Sequence, residues 1–359
     1  MTEPLAPGAT IGILGGGQLG RMLALAAARL GLKTHIYDPA AEGGPAAQVA
    51  DQAMTAAWDD EAALTQFAET VDVITYEFEN IPTEALDKLD QHRPIRPGRR
   101  ALEVSQDRLT EKRFLRDLGL QTAPFHPVDG PEDLSAALNA TGCPAIFKTR
   151  RFGYDGKGQA PIANAEEAPA ALRTLGQAVA ILEGFVPFER EVSVIGARGL
   201  DGAVACFDPG ENLHRDGILR YTKVPATLNS HQRSDAVLLT AQILNALDYH
   251  GVIGVELFVT PSTLVVNEIA PRVHNSGHWT QNGCTICQFE QHIRAIAGWP
   301  LGDGSRHSNV EMENLIGDDL DRLPDLRAEG TTALHLYGKA EVRPGRKMGH
   351  VNRITGPKG

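Results

Sequence analysis

Two glutamates, Glu256 and Glu268, sit on two short apolar runs joined by Thr260-Pro261-Ser262-Thr263. Val255, Leu257 and Val259 alternate with Gly254, Glu256 and Phe258, and Leu264–Ile269 reads as the returning strand. With Pro261–Thr263 as the loop, Thr260 pairs with Leu264 and Glu256 falls directly opposite Glu268. Residues so paired lie roughly 4.5–5.5 Å apart at Cβ. Two carboxylates that close repel unless a cation lies between them or one is protonated. An all-oxygen pair suits Mg2+, which takes one or two carboxylates and completes its shell with water and phosphate oxygens. A solvent-facing acidic pair is the plain alternative. The polar run that follows at once, Arg272, His274, Asn275 and His278, favours a phosphate-bound Mg2+.

A second cluster surrounds Lys148. The stretch RRFGYDGKGQ at 150–159 places Gly153, Gly156 and Gly158 among Arg150, Arg151, Tyr154, Asp155 and Lys157. Glycines let the backbone fold over a polyphosphate, and the cations neutralise it. It is not a Walker loop, since no G-K-[ST] opens a helix here. A hairpin tip accounts for the glycines but not for the crowded charge. A third cluster, Gly15, Gly17 and Gly20 with Asp38 downstream, satisfies G-x-G-x-x-G and admits a nicotinamide-dinucleotide reading. The pattern alone does not choose, because any phosphate can use glycine N–H groups at a helix N-terminus.

These residues need elements to hold them. Residues 10–38 alternate strand, glycine turn, helix and strand, and Val71–Tyr76 is a further strand ending at Glu77-Phe78-Glu79-Asn80. Ligands bind at such carboxyl ends in open parallel sheets. An α/β domain to about residue 100 follows. The Arg93–Arg100 stretch reads as a solvated linker, followed by helices over Leu109–Leu118 and Pro131–Ala140 and a strand at Ala145–Thr149. A strand near residues 178–183 breaks at Gly184-Phe185-Val186-Pro187, leaving backbone groups able to read an adenine edge. Glu191 lies on the strand that resumes, placed to hold a ribose diol. A long loop passes His214 and Lys223 to a helix over Gln232–Leu247. Beyond the glutamate hairpin come a helix from Cys284 to Ala297 and strands at Ala333–Leu336 and Ala340–Val342, with a basic tail from Arg343 to Arg353.

Composition narrows the classes. A chain of 359 residues with 42% hydrophobic and 22% charged residues reads as a globular protein of two or three domains. A net charge of −11 argues against a general nucleic-acid or anionic-membrane binder. No secretory signal pattern or membrane-length apolar run is visible, and four cysteines without a framework fit a reducing cytoplasm.

In order, the pieces resemble the ATP-grasp superfamily and, within it, the N5-carboxyaminoimidazole ribonucleotide synthases. The resemblance runs from GILGGGQLGRM (12–22) through YEFENIP (76–82), FGYDGKGQ (152–159), EGFVPFEREVSV (183–194) and NEIAPRVHNSGHWT (267–280) to GRKMGHVN (345–352). It implies a mixed α/β and α+β chain with three parts. These are a Rossmann-like pre-ATP-grasp domain over 1–105, an ATP-grasp domain over 106–298 and a small β-rich C-terminal domain over 299–359. It further implies a ligase, expected to be a cytoplasmic homodimer, that uses ATP and bicarbonate to carboxylate 5-aminoimidazole ribonucleotide by way of carboxyphosphate. Lys148 and Gly153–Gln159 (Gly153, Tyr154, Asp155, Gly156, Lys157, Gly158 and Gln159) would hold the ATP phosphates. Glu183, Gly184, Phe185 and Val186 would read adenine, Glu191 the ribose, and Arg108 and His214 would add nucleotide contacts. Glu256 and Glu268 would hold Mg2+ with Asn267 beside them. Arg272, His274 and Lys347 would orient bicarbonate, with Tyr154 and Asp155 near and Asp155 a candidate proton acceptor. The ribonucleotide would lie at Gln18, Leu19, Glu77 and Asn80, close to Asn275, with its phosphate at Lys347 and Arg353.

Overall fold

The computed structural model of the chain describes residues 3–153, 157–176 and 179–358. Three sheets make up the fold. The first is parallel, in the order Gln52–Met54, Lys33–Tyr37, Thr10–Leu14, Val73–Tyr76. Its central strands, Lys33–Tyr37 and Thr10–Leu14, are buried after their first residues, as expected of a sheet covered on both faces. The helix Gln18–Arg29 follows the first strand directly, so the glycine turn and Glu77 both lie at carboxyl ends of neighbouring strands.

The second sheet is antiparallel, ordered Phe125–Val128, Ala180–Gly184, Ala145–Thr149, Gln159–Ile162. It has a small core of its own around Phe147, Ile162, Leu172 and Leu182. The third and largest sheet runs Leu264–Ala270, Gly251–Val259, Arg190–Arg198, Gly210–Arg215, Ile218–Val224, Ser308–Ile316, Lys347–Pro357, Thr332–Leu336, with Val204–Cys206 against Arg190–Arg198. Strands from either side of residue 298 therefore share one ladder.

Several local expectations change. The stretch at 93–100 is not a solvated linker: Ile95 pairs with Ile74, and Arg96 is buried with its guanidinium donating to the Ile296 carbonyl at 2.5 Å. The segment seals the edge of the first sheet, and only then does a short helix, Arg99–Ser105, begin. The loop through His214 and Lys223 is a hairpin, Gly210–Arg215 with Ile218–Val224, turned at Asp216-Gly217 with both residues at positive φ. Residues 340–342 are not a strand, whereas the basic tail is: Lys347–Pro357 lies between two strands of the large sheet. The helix expected from Cys284 starts at Gln288, after a separate turn of helix at Thr280–Gly283.

Buried histidines tie these layers together. His292 accepts the Val252 N–H at Nδ1 (3.1 Å), so its Nε2 carries the proton toward the Thr75 hydroxyl (2.8 Å). Burial pulls His292 down to about 3 and holds His278 and His350 well below the usual imidazole range. A group depressed on folding adds stability that is complete above its unfolded value, 6.5, and is lost as pH falls toward the folded one. Each such histidine therefore removes up to about 1.4 kcal/mol per pH unit below 6.5. Urea-unfolding midpoints are expected to fall steadily from pH 6.5 to 5 and to fall less in His292→Gln. A midpoint that is flat over that range contradicts this.

Candidate active site

The glutamate hairpin forms with Glu256 directly opposite Glu268, by a different route from the one expected. The loop is one residue longer: Val259 pairs with Leu264, and the Thr260 N–H donates to the Thr263 carbonyl within the turn (3.0 Å). Thr260 does not pair with Leu264. That shift alone would offset the carboxylates. A β-bulge between Glu256 and Leu257 restores the pairing, because Leu257 faces Val266 and Asn267 is the extra residue. Bulges gather beside active sites because they re-aim side chains.

The two carboxylates differ in environment. Burial first, then the Glu268 charge, raises Glu256 to about 7. Burial opposes ionisation of Glu268 too, but Arg108, whose Nη1 donates to it at 3.0 Å, holds it below the usual range. Facing carboxyls split in this way, the one bonded to a cation lowered and its neighbour raised by burial and by that charge. Among the described residues no group of three or more His, Cys, Asp or Glu could enclose a metal. The two facing carboxylates fit Mg2+, which needs only one or two carboxylates when phosphate completes its shell. His274 Nε2 lies 3.5 Å from Glu256, and its Nδ1 is 2.8 Å from the Ser276 hydroxyl. Burial and the cations Arg272 and Lys347 keep its imidazole neutral. Its main chain is fixed on both sides by the Gln288 amide, at 2.9 and 2.8 Å.

Around this pair stand the phosphate candidates. Lys148 Nζ is 2.9 Å and Lys112 Nζ 3.5 Å from Glu183 Oε2, with all three side chains buried. Burial pushes Glu183 up, but the two lysines override it and hold it at about 2. Its carboxylate thus faces the lysines, while the Gly184 and Phe185 N–H groups donate to the Pro124 and Pro144 carbonyls (2.8 and 2.9 Å). Val186 follows on the same segment, its carbonyl accepting the Phe188 N–H (2.9 Å). The glycine loop closes back on its own base: Thr149 N–H meets the Gly158 carbonyl at 2.8 Å, and Gln159 pairs with Lys148. Gly158 is at φ +69°, and a Cβ there would meet the Thr149 hydroxyl at 2.5 Å, so only glycine fits. Gly153 packs at the same place, where a Cβ would lie 3.5 Å from the Arg108 guanidinium. Tyr154, Asp155 and Gly156 lie outside the described residues; Lys157 flanks them. Glu191 and His214 form an ion pair at 2.5 Å, and Glu191 adds to the charge felt by Glu256.

On the first sheet, the glycine turn is occupied by carboxylates. Gly16 N–H donates to Asp38 (2.9 Å) and Gly17 N–H to Glu77 (2.7 Å). A Cβ on Gly17 would lie 2.7 Å from that Glu77 oxygen. Amides already engaged by two carboxylates are poorly set for the pyrophosphate of a dinucleotide. Burial raises the Glu77 carboxyl, partly offset by the Gly17 amide and Arg272. Gln18 and the buried Leu19 open the helix just beyond, and Asn80 lies in the turn after Glu79. Lys347 reaches the same cleft, its charge acting on Glu256, His214 and His274. Asn275 is bound amide to amide with Asn314 (2.9 and 2.8 Å). Arg353 is held by Glu313 and Glu329 at 2.9 and 3.1 Å.

Residue types alone missed four contributors. Glu79 forms an ion pair with Arg272, fixing the cation proposed for bicarbonate. Gln106 donates to the Glu79 and Ile81 carbonyls (both 2.7 Å) and accepts from Arg151 (2.7 Å), joining the first sheet to the glycine loop. Glu111 and Lys112 are almost fully buried against the bulge. Helical spacing carried that signal: Arg108, Glu111, Lys112 and Leu115 stand at i, i+3, i+4 and i+7, so one face is both charged and inward.

A small antiparallel sheet and a large one closing on nucleotide-type lysines and paired glutamates, behind a parallel sheet with a glycine turn, define an ATP-grasp enzyme. Family models agree along the chain: a ribonucleotide synthetase preATP-grasp domain over 8–106, an ATP-grasp domain over 113–289 and a phosphoribosylaminoimidazole carboxylase C-terminal domain over 311–357. The N5-carboxyaminoimidazole ribonucleotide synthase of Brucella melitensis is 56% identical over 353 residues, covering 98% of this chain and 97% of its own. The chain belongs to the N5-carboxyaminoimidazole ribonucleotide synthase family, a family of ATP-grasp ligases. Solved structures agree. The Staphylococcus aureus enzyme complexed with ADP superposes with a TM-score of 0.94 at 39% identity, covering 99% of this chain and 95% of that one. The Aspergillus clavatus enzyme in complex with ADP and 5-aminoimidazole ribonucleotide gives 0.91 at 29%, covering 98% and 95%.

Proposed function

We propose that this chain joins a carboxyl group to the amine of 5-aminoimidazole ribonucleotide at the expense of ATP, with bicarbonate as the carbon source. The observation that carries the reading is the glutamate pair, one carboxyl raised and one lowered, flanked by Arg108 and by Lys148. A bicarbonate oxygen attacks the γ-phosphorus, ADP leaves, and carboxyphosphate forms. Its C–O bond to phosphate then breaks, giving CO2 and inorganic phosphate. The substrate amine adds to CO2, and its proton passes to the released phosphate or to Asp155.

Little covalent work is asked of the protein in phosphoryl transfer, so positioning and charge dominate. Lys148, Lys157 and the glycine-loop amides hold the triphosphate, and Glu191 with His214 holds the ribose. Glu256 and Glu268 would hold Mg2+, which when bound would supply positive charge to offset that of the phosphates. Arg272, fixed by Glu79, and neutral His274 orient bicarbonate. Gln18, Leu19, Glu77 and Asn80 receive the ribonucleotide, with Lys347 and Arg353 toward its phosphate and Asn275 braced beside them. We divide the chain at 105 and 298 and assign it to the cytoplasm as a homodimer on the strength of the family. Among the described residues no helix is long and apolar enough to cross a membrane. The experiment is phosphate release from ATP with each substrate omitted in turn. Release is expected to rise at least about tenfold only when both bicarbonate and the ribonucleotide are present, a difference of ~1.4 kcal/mol in barrier. Release indifferent to both contradicts the substrate assignment.

A further inference from the structure

The strand Leu264–Ala270 is the edge of the large sheet. Neighbouring residues in a strand turn their backbone groups to opposite sides. The Val266 N–H points away from the sheet, donating to the Gln121 carbonyl at 2.8 Å. In an unbroken strand Asn267 and Ile269 would then turn toward the partner strand. Instead, Lys112 Nζ donates to the Asn267 carbonyl at 2.6 Å, and the Ile269 N–H donates to Glu111 Oε1 at 2.6 Å. Both groups face outward only because the bulge has reversed the alternation.

From this geometry we infer that Glu111 and Lys112 are positioning residues that select the bulged register of the strand and thereby hold Glu268 opposite Glu256. The dipeptide stands where the next strand would be, with one acceptor and one donor spaced to take the main-chain groups on either side of Glu268. In the unbulged register the nearly fully buried Glu111 and Lys112 lose these main-chain partners. Lys112 also lies 3.5 Å from Glu183, the carboxylate that holds Lys148. One side chain thus links the phosphate lysine to the glutamate hairpin. The inference rests on the reading that Glu256 and Glu268 hold the cation.

The test separates the two claims. In the wild-type protein, Mg2+ titrated in the presence of ADP is expected to raise the thermal midpoint saturably; no rise would mean that the cation reading itself fails. Given that rise, Glu111→Leu and Lys112→Met are expected to need about tenfold more Mg2+ for half the effect, while Glu111→Gln, which keeps the acceptor, titrates as wild type. ADP affinity without metal should change less than twofold in Glu111→Leu. In the wild type, hydrogen exchange at the Ile269 amide should be as slow as at a ladder amide such as Val255. Wild-type Mg2+ titration in the folded Leu and Met variants overturns the inference. If those variants fail to fold, Ile269 exchanging at the rate of an exposed edge amide, or a shifted Mg2+ titration in Glu111→Gln, overturns it instead.

Discussion

Glu268→Gln is expected to cut ATP-dependent phosphate release by on the order of 100-fold or more, at least ~2.7 kcal/mol of barrier at 1.36 kcal/mol per decade. The substitution keeps an acceptor for Arg108, whose Nη1 sits 3.0 Å from the native carboxylate. It removes a charge that, with Glu256, would hold the cation under the proposed function. The fold should persist, because Gln also relieves the repulsion that raises Glu256 to about 7. Steady-state phosphate release and a circular-dichroism melt on the same preparation check both halves. A folded variant with wild-type turnover would remove the glutamate pair from the account.

Glu183→Gln acts on stability instead. Glu183 Oε2 is the common partner of Lys148 and Lys112, and removing one member of a buried pair leaves an uncompensated charge. The expected loss is about 3–5 kcal/mol of unfolding free energy at pH 7, read from urea titrations of wild type and variant. The sign of its pH dependence follows from the depressed carboxyl. Held at about 2 against 4.5 for a free glutamate, it contributes fully above pH 4.5 and loses that contribution as pH falls toward 2. The gap between the two proteins should therefore stay constant down to pH 4.5 and close below it. A gap under 1 kcal/mol at neutral pH, well below the ~3 kcal/mol floor of a broken buried pair, would show that the lysines find other partners.

The fold was legible where periodicity and punctuation agreed. Ala145–Thr149 forms over the residues expected, Lys33–Tyr37 is the second strand read within 10–38, and the glycine turn lies between strand and helix as read. The glutamate pairing was legible in outcome and not in cause. A bulge and a longer turn cancel, and nothing in an alternating apolar pattern announces an extra residue. The strand at 347–357 read as a basic tail because Lys347, Arg353 and the glycines mask its pattern; its first half, Met348–Asn352, is buried with strands paired on both sides. Glu79, Glu111 and Lys112 escaped notice for a related reason: each acts through another residue, Glu79 through Arg272 and the other two through main-chain groups. Chemistry-bearing types are readable one by one, whereas a partner contributed by a distant strand appears only once the chain is folded.

The most direct measurement follows oxygen. With ATP, Mg2+, 5-aminoimidazole ribonucleotide and 18O-labelled bicarbonate, transfer of the γ-phosphoryl group to bicarbonate leaves one bicarbonate oxygen on the released phosphate. Mass spectrometry should find one 18O per inorganic phosphate, formed in step with the carboxylated nucleotide and absent in Glu268→Gln. Unlabelled phosphate accompanying the carboxylated product would contradict the account.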